Sequence, residues 1–487
     1  WSASERAAPA RLHARPHAPL HAPLRAPLHE PLHEPLHEPL HARRARGAHA
    51  AQRAPRRRGG AVTEPRRPEI HVLGNGVCVQ VAHSPLWRSC GVGVYVRWGS
   101  AHESRALNGI GHVLEHMAFK GTASRDARHI NLDAERLGAE VNAHTDKDHT
   151  AYHMLGLPQH APQFVAMLGD IVRHATLPAD ELERERQVLL HEFTEDEDDP
   201  LATAFKLFDR CCFGLHPAAQ PVIGTRANIE RFTRDELLAH LARGYTGCNV
   251  VVAAAGAVDP DAVLRAAEAA FGDMPRGTPN VVEEPAYEGG IRTKAQEGSS
   301  QTHLVLGFPL PALRAADDAG QVAAAVLGEG MSSPLLETLR ERRGLAYYAA
   351  CSADVLDMCG QFVIEASTGP KALDELLEAT LELLRRQAER IDAVDLERAR
   401  HQLAVRALRR EERPLRVLED AALEWFALGR VRGSAERAES IGAVSALQVR
   451  TAFEHMLAHA LALALSGKVA RGTRERMRQI GERVLRR

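Results

Sequence analysis

Between Pro16 and Leu40 the chain repeats a four-residue unit, HAPL and then HEPL, with prolines at 19, 23, 27, 31, 35 and 39. Each proline removes a helical donor and its ring clashes one turn back, so this spacing forbids a continuous helix. Without a helix the segment's arginines cannot make an amphipathic targeting peptide, and no apolar run suits secretion. Residues 1–67 hold 13 arginines against 5 glutamates, a surplus of +8, which leaves 48 basic against 58 acidic residues, or −10, for the rest. This composition predicts a disordered Pro/His/Arg-rich extension over residues 1–68. Its evenly spaced histidines (His17, His21, His29, His33, His37, His41) offer weak metal binding at most. Any fold must be built from about Glu69 onward.

What remains of the 487 residues is long enough for two domains, and 45% hydrophobic with 25% charged residues is ordinary globular composition. Basic and acidic residues nearly cancel (61 against 63), which disfavours a general nucleic-acid binder. No apolar run approaches the roughly 20 residues that span a bilayer. Seven cysteines (Cys78, Cys90, Cys211, Cys212, Cys248, Cys351, Cys359) lie scattered without a C-x-x-C pair. That pattern argues against a disulfide framework or a thiolate zinc site and for a reducing compartment. The expected compartment is bacterial cytoplasm, with mitochondrial matrix second.

Val77–Ala82 and Cys90–Ser100 read as strands, the second with Val92, Val94 and Val96 alternating. Ile110, Val113, Leu114, Met117 and Ala118 follow Asn108-Gly109 at helical spacing, with Gly121 as the expected left-handed cap. A helix over Ala127–Leu137, a hairpin of Glu140–Thr145 with Thr150–Leu157, and a long helix from Ala179 to Glu197, closed by Pro200, come next. Val250–Ala257 reads as a buried strand, helix–strand alternation runs to about Met274, and the stretch Pro275–Gly298 is rich in Pro, Gly and Glu. Beyond it the order recurs: strand Thr302–Phe308, helix Ala315–Leu327, a short helix Pro334–Glu341, a hairpin Ala346–Ala353 with Gln361–Ser367, long helices, and strand Leu461–Leu465. The expectation is α+β, with two similar units over 69–280 and 299–487 joined by a linker at 281–298.

The chemistry concentrates in His112-Val113-Leu114-Glu115-His116. On a helix, i and i+4 share a face, so both imidazoles can meet one cation while Glu115 reaches a water beside it. Neutral imidazoles suit Zn²⁺, and a catalytic zinc takes three protein ligands and one open position. Two surface histidines on an amphipathic helix are the plain alternative. The Ala179–Glu197 helix supplies candidates for a third ligand. Glu185 and Glu192 lie two turns apart on one face, beside Val188 and Leu189, where paired carboxylates are unusual unless a cation sits opposite. His191 is the competing ligand. Glu192 is preferred because it shares the face of Glu185, whereas His191 lies about 100° around the helix.

H-x-x-E-H is the inverzincin signature. The surrounding text resembles the pitrilysin/insulinase (M16) zinc metallopeptidases, most of all their short two-domain branch of processing-peptidase-like proteins. The stretches that carry the resemblance are NGIGHVLEHMAFKGT (108–122), LGAEVNAHTDKDHTAYH (137–153), ERERQVLLHEF (183–193), VIGT (222–225) and GMSSPLLETLRERRGLAYYAACS (330–352). It implies two antiparallel sheets packed with helices, forming half of a clamshell. It implies a zinc endopeptidase with one Zn²⁺ per chain on His112, His116 and Glu192, Glu115 as general base and Glu185 orienting the site. Asn142 and Ala143 would lie on a substrate-pairing edge strand, and Arg340 and Tyr347 would grip substrate and oxyanion from the second unit. Arg340 has a simpler reading, an ion pair with Glu337 or Glu341. The implied partners are a peptide substrate and a second copy of the chain, each site completed in trans, or else an inactive sibling subunit. A non-catalytic scaffold subunit is the alternative function. Two departures stand out: Gly328-Glu329-Gly330 replaces an all-glycine turn, and His191 stands where relatives often have Glu. The acidic body, with Asp196–Asp199, is expected to favour basic peptides.

Overall fold

Alternating valines make the centre of the first sheet: β3 (Cys90–Val96) is buried along its whole length because both faces of the sheet are covered. The protein is described by a computed structural model over residues 67–485, so nearly all of the expected 1–68 extension lies outside the described residues. With β1 (Glu69–Val72), β2 (Cys78–His83), β4 (Glu140–Thr145), β5 (Thr150–Gly156) and β6 (Val250–Gly256), the sheet order is β1-β2-β6-β3-β5-β4. Only β2 and β6 run parallel; the other pairs are antiparallel.

The second sheet repeats this plan. It contains β7 (Gly290–Ala295), β8 (Thr302–Leu310), β9 (Tyr348–Val355), β10 (Gly360–Thr368) and β11 (Ala462–Gly467), in the order β7-β11-β8-β10-β9. Its one parallel pair, β7 with β11, occupies the place of β2 with β6. The fold is therefore two α+β units of common topology, as expected. The linker expected at 281–298 needs correction, because β7 lies inside it and pairs with β11 over six residues. Its half-exposed GIRTKA pattern belongs to an edge strand and carries little hydrophobic signal.

Five helices concern the site: α1 (Ile110–Ala118), α2 (Ala127–Arg136), α3 (Ala161–His174), α4 (Ala179–Asp198) and α5 (Pro200–Phe213). Phe119, not Gly121, caps α1; Gly121, with φ +138°, forms an isolated bridge to Asp126. Pro200 opens a helix as well as closing one. Asp199 ends α4 and caps α5, accepting hydrogen bonds from the amides of Leu201 and Ala202, and proline fits the first helical position where no donor is needed.

The two units exchange helices. α5 belongs to the first unit in sequence, yet Phe208, Cys211 and Cys212 pack on Val305, Val363 and Ala464 of the second sheet. In return the Pro414–Leu428 helix lays Leu418, Ala422 and Phe426 on Tyr95, Val251 and Ala253 of the first. Burying one leucine and one phenylalanine there contributes about 5 kcal/mol. Polar contacts lock the same joint: Asp357 accepts from Arg97 Nη2 at 2.5 Å, and its own amide donates to Asp148 at 3.1 Å. All the described residues fall within one compact unit. None of their helices is long and apolar enough to cross a membrane. All seven cysteines are free, and six are buried.

Candidate metal centre

α1 is buried at all nine of its positions, which explains why apolar residues fill so much of it. Its entry needs glycine: Gly109 has φ +97°, and a Cβ there would lie 2.8 Å from the Cα of Gly224. The first turn is held by Glu103, which sequence reasoning missed. Its carboxylate accepts from Gly109 N at 2.7 Å, Gly111 N at 2.8 Å and Asn108 Nδ2 at 3.2 Å. A negative group is favoured at a helix N-terminus, where free amides and the dipole converge. Burial pushes Glu103 up to about 7, against those three donors.

His112 and His116 are 8% and 1% exposed, so the surface-histidine alternative fails. Their rings meet edge to face with centroids 4.8 Å apart. Glu192 arrives from α4 with one oxygen for each: Oε1 lies 3.6 Å from His112 Nε2, and Oε2 lies 3.5 Å from His116 Nε2. One ligand atom from each of the three residues falls within 4.8 Å of the other two. A tetrahedral zinc with bonds near 2.1 Å sets its ligand atoms about 3.4 Å apart, so this nitrogen–nitrogen–oxygen set fits the ion. His191, the competing candidate, is exposed.

Behind His112, His116 and Glu192 stands a second row. Glu185, buried, has Oε2 3.3 Å from His116 Nδ1 and Oε1 2.6 Å from Lys120 Nζ. Burial works to raise Glu185, but His116 and Lys120 outweigh it and hold the carboxyl below its usual range. Holding Nδ1 directs Nε2 of His116 toward Glu192, the arrangement by which carboxylates orient metal-binding histidines. Glu115 is 4% exposed, and Thr145 Oγ1 donates to its Oε2 at 2.6 Å. Burial raises the Glu115 pKa, partly offset by His116 and Thr145. Burial also raises Glu192, to about 7, and Glu115, Asp196 and Glu195 add to the effect while His116 opposes it. Three carboxylates gathered in so dry a place favour a cation. Lys120 and Thr145 were not anticipated; each lies in a stretch that carried the family resemblance, but neither has a spacing rule of its own.

Asn142 and Ala143 lie on β4, which among the described residues pairs only with β5 and stands at the sheet edge. Asn142 Oδ1 accepts from the amide of Ala143 at 2.8 Å. Arg340 and Tyr347 pair with each other, the guanidinium carbon 4.9 Å from the ring centroid. Arg340 also meets Glu341 at 3.4 Å, as its simpler reading expected, whereas Glu337 takes Arg342. The residue sits in a turn of π-helix over Glu337–Arg342, and Tyr347 is 75% exposed. Glu329, in the altered glycine turn, is ion-paired to Arg406, which ties that turn to the Ala393–Glu411 helix. Three of the four acids in the run have partners within the fold: Asp196 and Glu197 hold Lys206, Glu197 also holds Lys294, and Asp199 caps α5. Asp198 and Asp199 stay exposed.

Residues 78–226 match the insulinase family (peptidase family M16), and residues 231–403 match the peptidase M16 inactive domain. An uncharacterized zinc protease of Bacillus subtilis strain 168, YmxG, is 33% identical over 336 residues, covering 68% of this chain and 81% of that protein. The fold resembles a protease from Helicobacter pylori (TM-score 0.75, 21% identity, 83% of this chain and 100% of the other). It also resembles a peptidase M16 inactive domain from Pseudomonas fluorescens (TM-score 0.74, 21% identity, 83% of this chain and 98% of the other). The chain belongs to peptidase family M16. Its relatives in Bacillus subtilis and Mycobacterium leprae are named zinc proteases.

Proposed function

We propose that the chain is a zinc endopeptidase that hydrolyses extended peptides or unfolded, presequence-like segments. The observation that carries this reading is the convergence of His112 Nε2 and His116 Nε2 on the two oxygens of Glu192, at 3.6 and 3.5 Å. These three residues hold the catalytic zinc, and residues 69–280 form the metal-bearing domain. Bound there, zinc supplies an acidified water and polarises a scissile carbonyl. Glu115 takes the proton and hands it to the leaving amine; its burial raises its pKa, which strengthens it as a base. Thr145 fixes which oxygen of Glu115 stays available, and Glu185 with Lys120 holds the His116 ring. A peptide joins the open edge of β4 by backbone pairing, beside Asn142 and Ala143.

Arg340 and Tyr347, in the domain of residues 299–487, supply an N–H and an O–H to the developing oxyanion. They stack on each other at the surface of the second unit, which supports a site completed by a second copy of the chain in a homodimer. The reading is tested on a quenched peptide. 1,10-Phenanthroline should abolish cleavage, and Glu115→Gln should keep its zinc but lose turnover by at least about 100-fold. Undiminished cleavage by Glu115→Gln would remove the assigned mechanism.

A further inference from the structure

A second group of ligands lies on the other face of the first sheet. Side chains alternate along a strand, so on β4 Ala143 and Thr145 face α1 while His144 faces the opposite way. The packing agrees: Ala143 joins the core around α1, whereas Ala151, the register partner of His144, joins the core beneath the Pro414–Leu428 helix. That helix brings Glu419, and the β4–β5 turn brings His149. Glu419 Oε1 lies 3.1 Å from His144 Nε2 and 3.7 Å from His149 Nε2. One ligand atom from each residue lies within 4.8 Å of the others. Both distances bracket the roughly 3.4 Å between ligand atoms of a tetrahedral zinc.

His149 is 2% exposed, and its Nε2 has no hydrogen-bond partner among the described residues. Its Nδ1 is held by Asp148 Oδ1 at 2.7 Å, as Glu185 holds His116, and the other oxygen of Asp148 accepts from the amide of Asp357. Arg416 takes Glu419 Oε2 at 2.7 Å and leaves Oε1 to the two imidazoles. The His144 and Glu419 side chains stay 20% and 16% exposed, which leaves an ion a way in.

We propose that His144, His149 and Glu419 form a second divalent-cation site, suited to Zn²⁺, that clasps β4 and β5 of the first unit to a helix of the second. The donor set repeats that of the α1 site, two imidazoles and one carboxylate, and Asp148 orients His149. The site does not rest on the protease reading. Its competing occupant is a proton, carried by His149 between Asp148 and Glu419.

Metal counting on the full chain separates the two. The protein is stripped with chelator, dialysed with Zn²⁺ and then with metal-free buffer, and zinc per chain is measured by mass spectrometry. Wild type, His112→Ala, Glu419→Gln and the double variant should hold about two, one, one and no equivalents. If wild type and Glu419→Gln hold the same amount, the site takes a proton and the proposal is overturned. If wild type and His112→Ala each hold one and Glu419→Gln none, the second site stands and the α1 site fails. Should Glu419→Gln not fold, His144→Gln, altered at a partly exposed side chain, takes its place. As a second readout, Co²⁺ added to His112→Ala should give a visible absorption band that His144→Gln removes; a band that persists would also overturn the proposal.

Discussion

Removing the carboxylate behind His116 should loosen the zinc proposed for the α1 site without touching a proposed ligand. Glu185 makes two contacts, 2.6 Å to Lys120 and 3.3 Å to His116 Nδ1, and only the second bears on the metal. Loss of such an orienting partner typically costs 10- to 100-fold in metal affinity, about 1.4–2.8 kcal/mol. The 3.3 Å contact is longer than the 2.7–2.9 Å of the strongest charge-assisted bonds, which places the effect near the middle of that range. Glu185→Ala should therefore weaken zinc binding about 30-fold, or 2 kcal/mol. Glu185→Gln keeps an acceptor for the Nδ1 proton and should lose about fivefold. The assay is competition with a chromophoric chelator, on protein whose circular dichroism matches wild type. If Glu185→Ala binds zinc within threefold of wild type, the orienting role is refuted. If alanine and glutamine lose equally, charge rather than ring orientation carries the effect.

Burial, with Arg243 and His102 nearby, holds His240 down to about 3. A depressed histidine is protonated first in the unfolded chain, so its contribution is complete above about pH 6.5 and falls as pH drops, by about 2 kcal/mol at pH 5. His240→Gln keeps an acceptor for Trp98 Nε1–H, now 2.6 Å away, and urea unfolding should show that much less loss between pH 7 and 5; an unchanged loss would count against it. Asp357→Ala leaves Arg97, only 16% exposed, without its carboxylate, and should cost about 3 kcal/mol by the same measurement; a change under 1 kcal/mol would mean solvent replaces the pair. If sites are completed in trans, mixing inactive Glu115→Gln with inactive Arg340→Ala chains should restore about a quarter of wild-type cleavage, since half of the dimers are mixed and each has one intact site. No recovery after verified subunit exchange would place the pair in cis or outside catalysis.

The imidazoles of α1 are legible in sequence because i and i+4 are neighbours on any helix, and the preference for Glu192 over His191 follows from the angle between successive helical residues. Glu103 is less visible. Its three bonds depend on how the chain from 103 to 111 folds back, and only an acid shortly before a buried helix hints at it. The second histidine cluster is invisible by the same measure, since Glu419 reaches His144 across 275 positions. Strand content was readable where valines alternate, as in β3, and misread at β7, whose exposed edge has no apolar rhythm. The destination of α5 could not be read at all: amphipathicity says that a face is buried, not which sheet buries it.

That reciprocal covering makes the molecule indivisible in a way its duplicated topology conceals. A chain severed between β6 and β7 would yield two fragments, each carrying the other's roof. Alone, either would show a bare apolar sheet to water and refold poorly; together, they should reassemble without a peptide bond between them. Two units of one plan, each roofed by a helix of the other, thus make one cooperative body.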